Sequence, residues 1–239
     1  MANFKTHVGI AFSASSLMAA ASVSAGLIEV MQSPWYVSLG VVGGMLPDID
    51  ASNSRPARQL FRGLALWCSS SVWLALEQSL GQRLLLLMTL AVFFTVRYLL
   101  AHAFQRVTVH RGVFHSLLAG VFFALLLTCV SHYGFGVATL TAWVGGLFLL
   151  FGFLVHLCLD ELFSVDLANG RMKKSFGTAL KIYGYQNIPG SLLLLTLSGG
   201  LLFAAPSSAP LYKAWRLSDW SRTSDLISQL DRALKHVAI

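Results

Sequence analysis

Seven side chains in this sequence could do chemistry together: His7, Asp48, Asp50, His110, His115, His156 and Asp160. Imidazole and carboxylate form the ligand set of zinc, manganese and iron. His156 and Asp160 are four residues apart, so one helix projects both from the same face. His110 and His115 are five apart, about 140° around an ideal helix, and would diverge on one rigid helix. Gly112 offers a break that leaves His110 in a loop and His115 in the first turn. In Gly43-Gly44-Met45-Leu46-Pro47-Asp48-Ile49-Asp50 the glycine pair permits close backbone packing and Pro47 ends a helix. Asp48 and Asp50 then reach inward from an irregular segment. A catalytic mononuclear zinc site takes three protein ligands and a water. The larger set here points to two metals, or to one metal with carboxylates that orient the histidines. A metal-activated water would be the nucleophile. Asp50 would bridge the metals or act as general base, and the Arg111 fork would hold a phosphate or carboxylate oxygen. Taken singly, each histidine reads as an ordinary interfacial residue, and Pro47-Asp48 as a turn with an N-cap. The metal reading rests on the set.

The elements that must position this set are set by composition. The chain has 239 residues, of which 56% are hydrophobic and 11% charged, against roughly 25% charged in soluble domains. Mean hydropathy is +0.68. These values exclude a soluble enzyme, a disordered protein and a disulfide-rich secreted module. Cys68, Cys129 and Cys158 all lie in apolar stretches, and their odd number argues against a disulfide framework. The fold class is therefore all-α: a polytopic transmembrane helical bundle. A helix needs about 20 apolar residues to cross a bilayer. The apolar blocks at 8–28, 33–47, 63–80, 84–104, 112–132, 136–155 and 188–205 give six to seven spans, the second and last being the marginal ones. The first block has features of a secretory signal, but it is long for a signal core, and cleavage would remove His7. Residues 1–205 read as the membrane-embedded domain and 206–239 as an amphipathic tail, with Leu226, Leu230, Leu234 and Val237 at helical spacing.

The net charge of +7 is explained by the positive-inside rule rather than by nucleic acid. If each block crosses, 11 of the 17 Lys and Arg residues lie on the side of the N-terminus. Only Arg83 lies in a loop on the other side, and five are in the tail. That side is the cytoplasm. His7, the Asp48/Asp50 pair, the His110/His115 pair and the His156/Asp160 pair all fall at the cytoplasmic ends of their blocks. Four sequence-distant clusters thus converge on one membrane face. His102, His132 and His236 stay outside the set, His132 because it falls at the opposite end. The basic run Arg171-Met172-Lys173-Lys174 follows a turn at Asn169-Gly170 and reads as a lipid-headgroup anchor, or as a lid that draws an anionic substrate.

These motifs resemble those of the YdjM-like inner-membrane proteins, a family described as membrane-bound metal-dependent hydrolases and in one branch as LexA-regulated. The matching pieces are His7, the Gly-Gly-x-x-Pro-Asp-x-Asp ending at Asp50, the His-Arg-Gly-x-x-His-Ser from His110 to Ser116, and His156 with Asp160. The stretches 160–166 and 174–181 are similar as well, so the likeness covers about residues 1–185 and leaves the tail outside. The resemblance implies a hydrolase at a bacterial inner membrane and names no substrate. The order of ligands is also similar to that of the zinc-dependent phospholipase C and nuclease group, but the second His-x-x-x-acid pair of that group is missing here. Together these readings give a metal-dependent hydrolase at the cytoplasmic membrane boundary, using one or two divalent ions, zinc first and manganese second. Its substrate would be a membrane lipid or lipid-linked ester or phosphoester. A metal transporter would need polar residues continuing across the membrane, and the opposite halves of the blocks are nearly all apolar. A stabilising structural metal would be fully ligated by protein.

Overall fold

The apolar blocks fold as helices. The computed structural model describes residues 4–50, 55–102, 113–163, 165–166, 171–172, 180–185 and 187–221, with residues 50, 55, 56, 60, 67, 71, 74, 75, 165, 166, 171 and 172 described by their backbone alone. The helices are α1 (Phe4–Ser24), α2 (Ser33–Gly43), α3 (Arg55–Leu76), α4 (Gln82–Leu100), α5 (Leu117–Gly134), α6 (Thr139–Leu162), α7 (Ile188–Ala204) and α8 (Ala209–Leu217). The last turns of α4 (Thr95–Leu100) and α5 (Val130–Gly134) widen to π geometry. Val165–Asp166 and Arg171–Met172 form a two-residue antiparallel pair, with Val165 opposite Met172.

Local sequence explains the ends. Gly26, at φ +74°, closes α1 by a Schellman turn in which Leu27 N–H donates to Ser22 O at 2.8 Å. Ser116 caps α5, accepting from Ala119 N–H. Asn187 caps α7, accepting from Gly190 N–H at 2.9 Å. Pro34 and Pro189 occupy first-turn positions of α2 and α7, where no N–H is needed.

α6 is the central helix, packed by α1, α2 and α5, with α7 against α5. α1 runs opposite to α2 and α6. Between α2 and α6 the backbones touch. A Cβ on Gly152 would collide with Gly40 O, and one on Gly43 with Leu149 O. Small residues at a helix interface allow this approach where lipid gives no hydrophobic drive. The glycine pair thus performs the close packing expected of it. α3 and α4 pack on each other, and α3 meets the turn at 46–50.

Among the described residues, four helices are long and apolar enough to cross a membrane (α1, α4, α5 and α6), or five if α7 and α8, bent by 76°, count as one span. The larger expected number needs α2 and α3 to cross as well. α2 has 11 residues and is only about 16 Å long. α3 has 22 residues, but Arg58, Gln59, Arg62 and the serines at 69–71 dilute its apolar face. α8 begins the tail earlier than the spacing of leucines suggested. It lies against α6, and Asp219 N–H just beyond it donates to Ala25 O at 3.0 Å. The tail leucines at 226–234 lie outside the described residues.

Candidate metal centre

Four chain segments deliver one donor-rich cluster at one end of the bundle. His7 sits in the first turn of α1. Asp48 sits on a 3-10 turn, Leu46–Asp50, that follows α2. His156 and Asp160 share one face of the last turns of α6. His115 precedes the α5 cap. It is therefore not in the first helical turn, as the spacing suggested: the Ser116 hydroxyl takes the cap and starts the helix one residue later. That hydroxyl also donates to Val113 O at 2.6 Å. Lys181 O and Ile182 O accept from the N–H groups of Leu117 and Leu118, both at 3.0 Å, so the segment before α7 straps the start of α5 beside His115.

The donor atoms are close. His7 Nε2 lies 3.3 Å from Asp160 Oδ1, and His115 Nε2 lies 3.2 Å from Asp160 Oδ2. His156 Nε2 lies 3.6 Å from Asp48 Oδ1 and 3.9 Å from Asp160 Oδ2. Donors at about 2.0–2.2 Å from one tetrahedral ion would be roughly 3.3–3.6 Å apart. The His7 and His156 rings stack with centroids 3.9 Å apart, and the His115 ring stands edge-on to His156 at 5.4 Å. Two ligand groups emerge, His7/His156/Asp160 and Asp48/His115/His156, each with donors within 4.8 Å of one another. His156 Nε2 belongs to both. It has one lone pair and can serve one ion, so among the described residues the two groups form one centre with up to five donors.

The chemistry of these donors asks for a cation. His115 Nδ1 and Nε2, His156 Nε2 and both Asp160 oxygens are buried and make no hydrogen bond. Leu46, Ile49, Val113, Leu149, Phe153 and Leu157 close around the site as an apolar cluster. A buried carboxylate without hydrogen bonds costs several kcal/mol unless a positive charge meets it. His156 Nδ1 lies 2.7 Å from Gly44 O. A carbonyl only accepts, so Nδ1 carries the proton and donates, and the Nε2 lone pair faces the cluster. The His7, His115, His156 and Asp160 side chains are at most 4% exposed, whereas that of Asp48 is 21% exposed. The cluster opens on the Asp48 side.

Of the residues expected from sequence, His7, Asp48, His115, His156 and Asp160 come together. His110, Arg111 and the Asp50 side chain lie outside the described residues. A second ion would have to draw on Asp50 or His110. His132 lies at the far end of α5, with Nδ1 2.9 Å from Val137 O, and takes no part. Sequence reading missed the Gly44 carbonyl and the strap at 181–182. Both act through backbone atoms, which leave no residue signature. Cys68, Cys129 and Cys158 are free thiols and contribute no donor to either ligand group.

A family model described as YdjM inner membrane protein matches residues 1–170. That span holds all the donors above. No curated protein and no solved structure gives a significant match.

Proposed function

This chain belongs to the YdjM inner membrane protein family, and we propose that it is a metal-dependent hydrolase of lipid-linked esters or phosphoesters at the cytoplasmic face of that membrane. The observation that carries the reading is the asymmetric burial of the donors: four are sealed, and Asp48 alone has a partly open side chain. A structural metal site is closed on all sides, and a catalytic one keeps an open position. Three imidazoles and two carboxylates suit zinc first and manganese second. The bound ion would supply Lewis acidity toward an ester or phosphoester oxygen. His7, His115, His156 and Asp160 hold it, and Gly44 O fixes the His156 ring. Asp48 borders the open side, where an ester or phosphoester oxygen would take the remaining position. By the sequence reading, Asp50 would take a proton there and Arg111 would bind the anionic group of the substrate.

The bias of basic residues toward the N-terminal side supports a cytoplasmic site, and the six or seven crossings of that reading would need α2 with the turn that follows it, and α3, to return the chain across the membrane. Protein reconstituted in vesicles and loaded with zinc or manganese should release the head group or fatty acid from at least one class of phospholipid. Chelator should stop the release, and Asp48→Asn should slow it about 10–100-fold. Loaded protein that cleaves neither phosphoesters nor carboxylic esters of lipids would contradict the proposal.

A further inference from the structure

Beside the metal centre lies a groove of about 310 Å³ between the end of α2 and the second turn of α3. Its walls are Val42, Met45, Leu46, Ile49, Gly63 and Leu64, with Gln59 as the polar residue. Leu46 and Ile49 flank Pro47-Asp48 in the chain, so the wall of the groove and the open side of the metal centre are parts of one five-residue turn. Val42 and Leu64 on its rim are exposed. In a membrane protein, an apolar groove with an exposed apolar rim suits an acyl chain of the surrounding lipid. The volume is at the low end of the roughly 300–1,000 Å³ of ligand pockets, which suits one chain rather than a whole two-chained lipid. Gln59 and Gly63 line the groove four residues apart, and Arg58 and Arg62, exposed and also four apart, form the adjoining face of α3. They put two positive charges on the stretch of α3 that borders the groove.

We propose that this groove holds one acyl chain of an anionic membrane phospholipid, with its head group between the α3 arginines and Asp48. The proposal rests on the hydrolase reading for what happens to that lipid, but not for its binding. Gly63 is what keeps the groove open. A Cβ built there has no heavy atom within 4 Å. A larger side chain at this position fills the groove without striking protein, and it raises rather than lowers helix propensity.

The test uses full-length protein in vesicles doped with phosphatidylglycerol carrying a diazirine at the end of one acyl chain. Cross-linked residues are mapped by peptide mass spectrometry after photolysis. Labelling should concentrate on Met45, Ile49 and Leu64. Gly63→Phe should lower it about tenfold, the loss expected when roughly two buried methylenes lose their place, while metal content stays as in the wild type. A phosphatidylcholine probe with the same chain should label these residues less. Labelling spread evenly over the exposed faces of α3 and α4 and unmoved by Gly63→Phe would overturn the groove. Equal labelling by both probes would overturn the anionic head group. Groove labelling without turnover of any lipid refutes the hydrolase and leaves the groove standing. Turnover without groove labelling does the reverse.

Discussion

Chelation lowers the unfolding temperature of the wild-type protein and leaves that of Asp160→Asn almost unmoved: this is the expected result if Asp160 exists to meet a cation. Both carboxylate oxygens are buried without a hydrogen bond, at 3.3 and 3.2 Å from His7 and His115 nitrogens. Without the ion only a protonated His7 or His115 can balance the buried carboxylate, and with it the charge becomes the strongest donor of the set. A ligand at 100 times its dissociation constant stabilises the folded state by about 2.7 kcal/mol, roughly 5–10 °C for a chain of this size. Asp160→Asn keeps the side-chain shape, removes the charge and offers amide N–H groups to the histidines. It should therefore match or exceed the metal-free wild type in stability and gain little from added zinc. Tryptophan fluorescence during thermal unfolding in detergent, with and without chelator, measures both. A wild type indifferent to chelator, or an equal shift in both proteins, would show that no cation sits there.

The second large effect is expected at a residue that offers no donor of its own. Gly152→Val should destabilise the protein by about 1–3 kcal/mol or more and lose bound metal as well. A Cβ at Gly152 meets the Gly40 carbonyl, which is backbone and cannot swing aside. α2 must move off α6, and Gly44 one turn further on moves with it. Gly44 O then leaves its 2.7 Å contact with His156 Nδ1, and the ring loses its fixed tautomer. Gly9→Ala is the matched control, since a Cβ there meets nothing within 4 Å and helix propensity rises. Unfolding temperature and metal content of the two variants, measured together, separate a packing defect from a general intolerance of larger residues. Wild-type values for Gly152→Val would refute the backbone contact.

How much of this could be read from the sequence follows from which atoms do the work. The convergence of His7, Asp48, His115, His156 and Asp160 was legible because these residues fall at alternate ends of successive apolar blocks, the ends that antiparallel neighbours bring together. The pairing of His156 with Asp160 was legible because four residues make one helical turn. The extent of α2 was not. Its apolar block runs to Pro47, but the helix stops at Gly43, where Gly44 gives up its carbonyl to His156 and a 3-10 turn takes over. The start of α5 was misplaced for a similar reason, since Ser116 rather than Gly112 sets it. The π turns at Thr95–Leu100 and Val130–Gly134 change only which carbonyl each N–H finds, and no side chain records that.

The central claim is that the four segments meet to hold an ion, and elemental mass spectrometry of detergent-purified protein tests it most directly. The account predicts at least one equivalent of zinc or manganese in the wild type. His156→Ala and Asp48→Ala should have lost it while remaining helical and monodisperse. No metal in protein purified without chelator, and none taken up when zinc or manganese is added, would contradict it.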